Sequence, residues 1–122
     1  MRPPYEAELL RIFTGETDKH DGRPIYELIV AEARKRGMAG ATVLCGALGF
    51  GAASHLHTAK ILRLSEDLPM VIEIVDTPER IAAFLPELDQ VLANGLVTTE
   101  KVRVHVYRHD GRDAHDKGYA PS

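Results

Sequence analysis

The stretch from Met38 to Ala53, MAGATVLCGALGFGAA, carries no charge and is punctuated by Gly40, Gly46, Gly49 and Gly51, and these two properties confine what the chain can build. It is shorter than the roughly 20 apolar residues a membrane helix needs, and each glycine would weaken a helix. The expectation is a buried strand that leaves the core at a hinge, Gly49-Phe50-Gly51, where the backbone can turn sharply and approach a ligand without interference from a Cβ. Cys45 in this strand reads as a small buried thiol. As the chain's only cysteine it excludes an intramolecular disulfide and a multi-cysteine zinc site.

The residues around this stretch alternate between strand and helix signals. Leu9 to Thr14, LLRIFT, has the composition of a first strand, and the polar loop after it holds an Asp21-Gly22 turn signal. Pro24 suits a first helical turn; Tyr26, Ile29, Val30 and Ala33 then recur at helical spacing, and Gly37 caps the end. Ala41 to Leu48 reads as the second strand and Met70 to Val75 as the third. Thr77 with Pro78 opens a second helix, whose stripe is Ile81, Phe84, Leu85, Leu88, Val91 and Leu92 and which Asn94-Gly95 ends. Pro86 falls inside it, where an unrelieved proline costs about 3 kcal/mol. Val102 to Tyr107, VRVHVY, supplies the fourth strand, with Val102, Val104 and Val106 on one face and Arg103, His105 and Tyr107 on the other.

This order, β-α-β-β-α-β, predicts an α+β, ferredoxin-like fold: an antiparallel sheet with two helices on one face. Residues 1–107 form one domain with a long excursion at about 51–69, and 108–122 form a polar, mobile tail. The uncovered sheet face calls for burial by self-association. A length of 122 residues fits one domain, and a formal net charge of -3 gives no positive field to hold nucleic acid or anionic lipid. Met1 to Glu8 offers no apolar signal region, so a cytoplasmic location without membrane insertion is expected.

With this topology in place, GMAGATVLCGALGFG resembles the segment of PII signal-transduction proteins that leads to Gly-Phe-Gly at the base of their long T-loop, and LPMVIEIV resembles their return strand. The similarity is closer to the PII-like group sometimes encoded beside fluoride channels, on RIFTGETDK (Arg11 to Lys19), GFGAASHLHT (Gly49 to Thr58), ILRLSEDLPMVIEIVD (Ile61 to Asp76) and GLVTTEKVRV (Gly95 to Val104), and it covers roughly residues 8 to 107. The resemblance implies a homotrimer with ligand clefts between subunits. It also implies a regulatory role without catalysis, adenine nucleotides (AMP, ADP or ATP) as candidate ligands with no required cofactor, and a membrane transporter or channel as partner. Two departures stand out. The glycine- and lysine-rich phosphate loop of PII proteins is replaced by Asn94 to Lys101, NGLVTTEK, and the excursion contains no tyrosine for nucleotidylation.

The candidate ligand-binding residues are therefore Gly49, Phe50, Gly51 and His57 at the excursion, Arg63 as an added charge, and Asn94, Gly95, Thr98, Thr99 and Lys101 as a phosphate nest of amides, hydroxyls and one cation. His55 and His57, spaced i, i+2, point the same way on a strand and form an incomplete metal pair, which gives the alternative of a CutA-like divalent-metal-binding trimer. No catalytic constellation is visible, and an enzyme is not expected.

Overall fold

The computed structural model of this protein describes residues 3–50 and 67–114. Its centre is β1 (Tyr5–Gly15), which pairs antiparallel on one side with β5 (Pro69–Asp76), from Glu8 opposite Asp76 to Gly15 opposite Pro69, and on the other with β6 (Leu96–Val104), from Tyr5 opposite Val104 to Phe13 opposite Leu96. β4 (Thr42–Cys45) adds antiparallel to β5, so the strand order is β4-β5-β1-β6. Two-residue strands make two small hairpins: β2 (Lys19–His20) with β3 (Arg23–Pro24), and β7 (Arg108–His109) with β8 (Arg112–Asp113). With α1 (Ile25–Lys35) before β4 and α2 (Pro78–Val91) before β6, the expected β-α-β-β-α-β order is present.

Residues directly opposite in an antiparallel ladder share a face. Leu10 and Ile12 of β1 lie opposite Ile74 and Ile72 of β5, and all four are buried in one cluster with Ile25, Ile29 and Ala33 of α1 and Ile81, Phe84 and Leu88 of α2. Both helices thus cover one face of the sheet. The end of α1 follows from Gly37: its φ of 68° is the left-handed conformation, Gly37 N–H donates to Arg34 O and Met38 N–H to Ala33 O, and Met38 then packs into the core. This is a Schellman termination, and glycine adopts its backbone without strain. At α2, Thr77 Oγ1 accepts from Arg80 N–H at 3.3 Å and Pro78 occupies the first turn. Pro86 lies within α2 on its exposed side, and the helix continues to Val91.

Three expectations are corrected. The second strand is shorter than Ala41 to Leu48, and it is an edge strand rather than a buried one, so Cys45 is exposed, as is Leu44 at 49%. The fourth strand is Leu96–Val104 instead of Val102 to Tyr107, because β6 must reach Phe13 to pair along β1. The tail is structured as far as residue 114: Asp110 (φ 51°) and Gly111 (φ 76°) turn the β7–β8 hairpin, and Ala114 is buried.

Candidate functional site

One end of the sheet, where β1 and β4 finish and β5 and β6 begin, is built from backbone. Gly46 N–H donates to Pro69 O at 2.7 Å, and Glu16 N–H to Leu68 O at 2.8 Å. Asp67, itself left-handed with φ 45°, accepts at Oδ1 from both the N–H and the hydroxyl of Thr17, at 3.0 and 2.8 Å. Space here is tight, since a Cβ on Gly46 would stand 2.7 Å from the Pro69 ring and one on Gly95 2.6 Å from Phe13 O. Gly95 has φ 139°, so a side chain is excluded on both counts.

Gly49 and Phe50 lie at this end beside β4, with Phe50 73% exposed. Asn94 and Gly95 lie at the same end beside β6, across three strand spacings, roughly 14 Å. The other members of the expected phosphate nest are on a regular strand: Thr98 is opposite Arg11 on the uncovered face, while Thr99 and Lys101 are opposite Leu10 and Glu8 on the helix-covered side. Gly51, His55, His57 and Arg63 lie outside the described residues. Among the described residues, no cluster of histidine, cysteine or carboxylate side chains could hold a metal ion.

The opposite end carries a cleft of about 860 Å³, which the sequence reading missed. Leu9, Val75 and Val102 give it an apolar wall, the loop from Gly37 to Thr42 a backbone rim, and Glu73, Arg80 and Arg103 its charge. Asp76 organises it. Only 7% exposed, it accepts from Ala39 N–H at 3.0 Å and Thr77 N–H at 2.7 Å, and pairs with Arg80 at 3.6 Å. The Tyr107 hydroxyl donates to Ala39 O, so Ala39 is held through both its N–H and its carbonyl. Tyr5, also on the cleft wall, has its phenol held above the ordinary value, first by burial and then by the negative charge of Asp76. A signal for this end was present in the chain: an acid closing an apolar strand directly before a Thr-Pro helix start. Tyr107 gave none, because it adjoins a polar tail.

Glu73 ties the cleft to the middle of the uncovered sheet face. There Arg11 bridges two acids, donating from Nε to Glu73 at 2.8 Å and from Nη1 to Glu100 at 2.6 Å. The Glu73 hydrogen bond is the main reason the guanidinium titrates above its ordinary value; desolvation opposes it, and the charges of Glu100 and Glu73 add to it. Leu9 and Phe13 on β1 and Val71 and Val75 on β5 share this face, so the charged triad is set among apolar side chains.

Comparison with known proteins gives consistent matches for the chain. The family model described as DUF190, Uncharacterized ACR, COG1993, matches residues 7–104. A UPF0166 protein of Aquifex aeolicus (strain VF5) is 40% identical over 99 residues, covering 81% of this chain and 93% of its own length. A second UPF0166 protein, from Methanocaldococcus jannaschii, is 38% identical over 104 residues, covering 84% and 94%. Among solved structures, CPII from Thiomonas intermedia K12 bound to ADP and bicarbonate superposes with a TM-score of 0.61 over 82% of this chain and 89% of its own, at 18% identity. A putative PII-like signaling protein from Thermus thermophilus gives 0.54 over 82% and 90%, also at 18% identity. The structural likeness is one of fold.

Proposed function

This chain belongs to the DUF190 family, and from that membership and its PII-like fold we propose a regulatory protein that binds an adenine nucleotide between copies of itself and signals occupancy to a partner. The observation that carries this reading is where the candidate residues fall on the two edges of the sheet. Gly49 and Phe50, with exposed Leu44 and Leu48, stand at one edge of the sheet; Asn94 and Gly95, with exposed Leu85, Leu96 and Val97, stand at the other edge of the same end. A head-to-tail ring of copies joins the two edges and buries both apolar patches, and three copies close such a ring.

In this reading the base rests in the cleft against Leu9 and Val75, with Glu73 and the backbone of Ala39 to Ala41 as acceptors. The phosphates run along β5 toward Pro69, about 13 Å from Glu73, and meet Gly49 to Gly51 of one copy and Asn94 and Gly95 of the next. Thr98 supplies a hydroxyl from the uncovered face of β6, Thr99 and Lys101 stand on the opposite face and serve a neighbouring copy, and His57 and Arg63 act from the excursion. That CPII is a nucleotide-bound protein of the same fold supports the ligand class. The family resemblance supports a membrane transporter or channel as the partner of residues 51–69, and a cytoplasmic regulator without catalytic activity. Among the described residues no helix is long and apolar enough to cross a membrane.

Titration calorimetry against AMP, ADP and ATP, with light scattering on the same samples, tests the proposal. Few cations line the path, so AMP is expected to bind at least as tightly as ATP without metal, to a trimer. Binding of none of the three, or a stable monomer at micromolar concentration, would overturn it.

A further inference from the structure

The chain does not end its structural role at β6. After Val104 it leaves the sheet at the β6 edge, and three residues later the Tyr107 hydroxyl donates to Ala39 O in the loop that precedes β4, the strand at the opposite edge. Residues 105–114 therefore cross the end of the sheet. Val104 to Tyr107 and Ala114 all line the same cleft as Leu9, Val75 and Asp76. Ala114 N–H donates to Tyr107 O at 2.7 Å, which folds the β7–β8 hairpin back on Tyr107 and places Ala114, 3% exposed, against the body.

We propose that residues 105–114 are a strap over the cleft, latched by Tyr107 on Ala39, and that it releases locally, without unfolding of the sheet, to let a ligand in and out. Two features argue for local release. The hairpin exposes Arg108 to Gly111 to water, whereas the floor beneath the cleft belongs to a ladder whose Ile72 and Ile74 are fully buried. Segments with few buried side chains open at lower free energy than core strands. The latch also has a rigid keeper, since Ala39 is fixed from below by Asp76, which in turn holds the Thr77 N–H at the start of α2. Release breaks the bond on the strap side and leaves the rim in place.

The strap itself does not depend on the identity of the ligand; its role in exchange rests on the nucleotide reading above. The test is Tyr107→Phe, which removes the latch hydroxyl and keeps the ring. Native-state hydrogen exchange is expected to speed up at the Ala114 amide by about three- to tenfold, the equivalent of one hydrogen bond, with the Ile72 and Ile74 amides unchanged. ADP dissociation, followed by stopped flow, is expected to accelerate by a similar factor. An unchanged Ala114 amide, or one that accelerates in step with Ile72 and Ile74, overturns the strap. A loosened Ala114 with unaltered ADP dissociation overturns its control of exchange. If ADP binds neither protein, the nucleotide reading fails, and the strap is decided by the exchange rates alone.

Discussion

Each end of the sheet is held by an aspartate, and the two aspartates work in different surroundings. Asp76, 7% exposed, ties Ala39, Thr77 and Arg80 together at the cleft. Asp67, exposed, ties Thr17 to the start of β5 at the loop end. A carboxylate that water cannot reach has no substitute acceptor nearby, whereas an exposed one is readily replaced by solvent. At the loop end the close fit comes instead from the backbone, in Gly46 packed on Pro69 and Gly95 on Phe13. One end should therefore be sensitive to loss of a side chain, and the other to gain of one.

The largest expected effect separates the two aspartates. Asp76→Ala should destabilise the fold by about 3 kcal/mol, because it strands the Ala39 and Thr77 amides, while Asp67→Ala should cost about 1 kcal/mol. Urea unfolding of both variants measures this, and equal costs would erase the distinction between the ends. Next is Gly95→Ala, a single added methyl at the loop end. With Phe13 O in its way and a φ of 139°, it should cost about 2 kcal/mol by the same assay. A neutral result would mean that the start of β6 shifts freely, and the backbone account of that end would be lost.

The smallest effect is a pH dependence confined to the cleft end. The raised pKa of Tyr5 means that above about pH 10 an unfolded tyrosine ionises before the folded one, so its contribution is complete below that pH and is lost as pH rises further. Tyr5→Phe should flatten the alkaline decline in the urea midpoint relative to the parent protein. An identical decline in both proteins would show that neither burial nor the Asp76 charge raises Tyr5 in the folded state.

Both Asp-Gly pairs of the chain form the same kind of turn, with φ 51° and 80° at Asp21-Gly22 and 51° and 76° at Asp110-Gly111. Only the first was legible, because it precedes a helix with a clear apolar stripe; the second has polar flanks that predict nothing. The limits of β6 were hidden for a similar reason. It is an edge strand, exposed from Leu96 to Lys101, so Thr98, Thr99, Glu100 and Lys101 carry no alternation of burial to read. Cys45 was misjudged because an apolar run signals strand without saying whether the strand is central or at an edge.

What the sequence determined by itself is local. Gly37 terminates α1, Thr77 and Pro78 start α2, and the alternation of Ile72 and Ile74 marks a core strand, since each depends on residues within a few positions. The resemblance of RIFTGETDK and GLVTTEKVRV carried the family without any coordinates. Only the tertiary structure brought Asp76 to Ala39, Tyr107 to the same residue from the other edge of the sheet, and Arg11 between Glu73 and Glu100. Such contacts join residues 37 to 89 positions apart, and their partners are chosen by strand order and register, which no local pattern of polarity encodes.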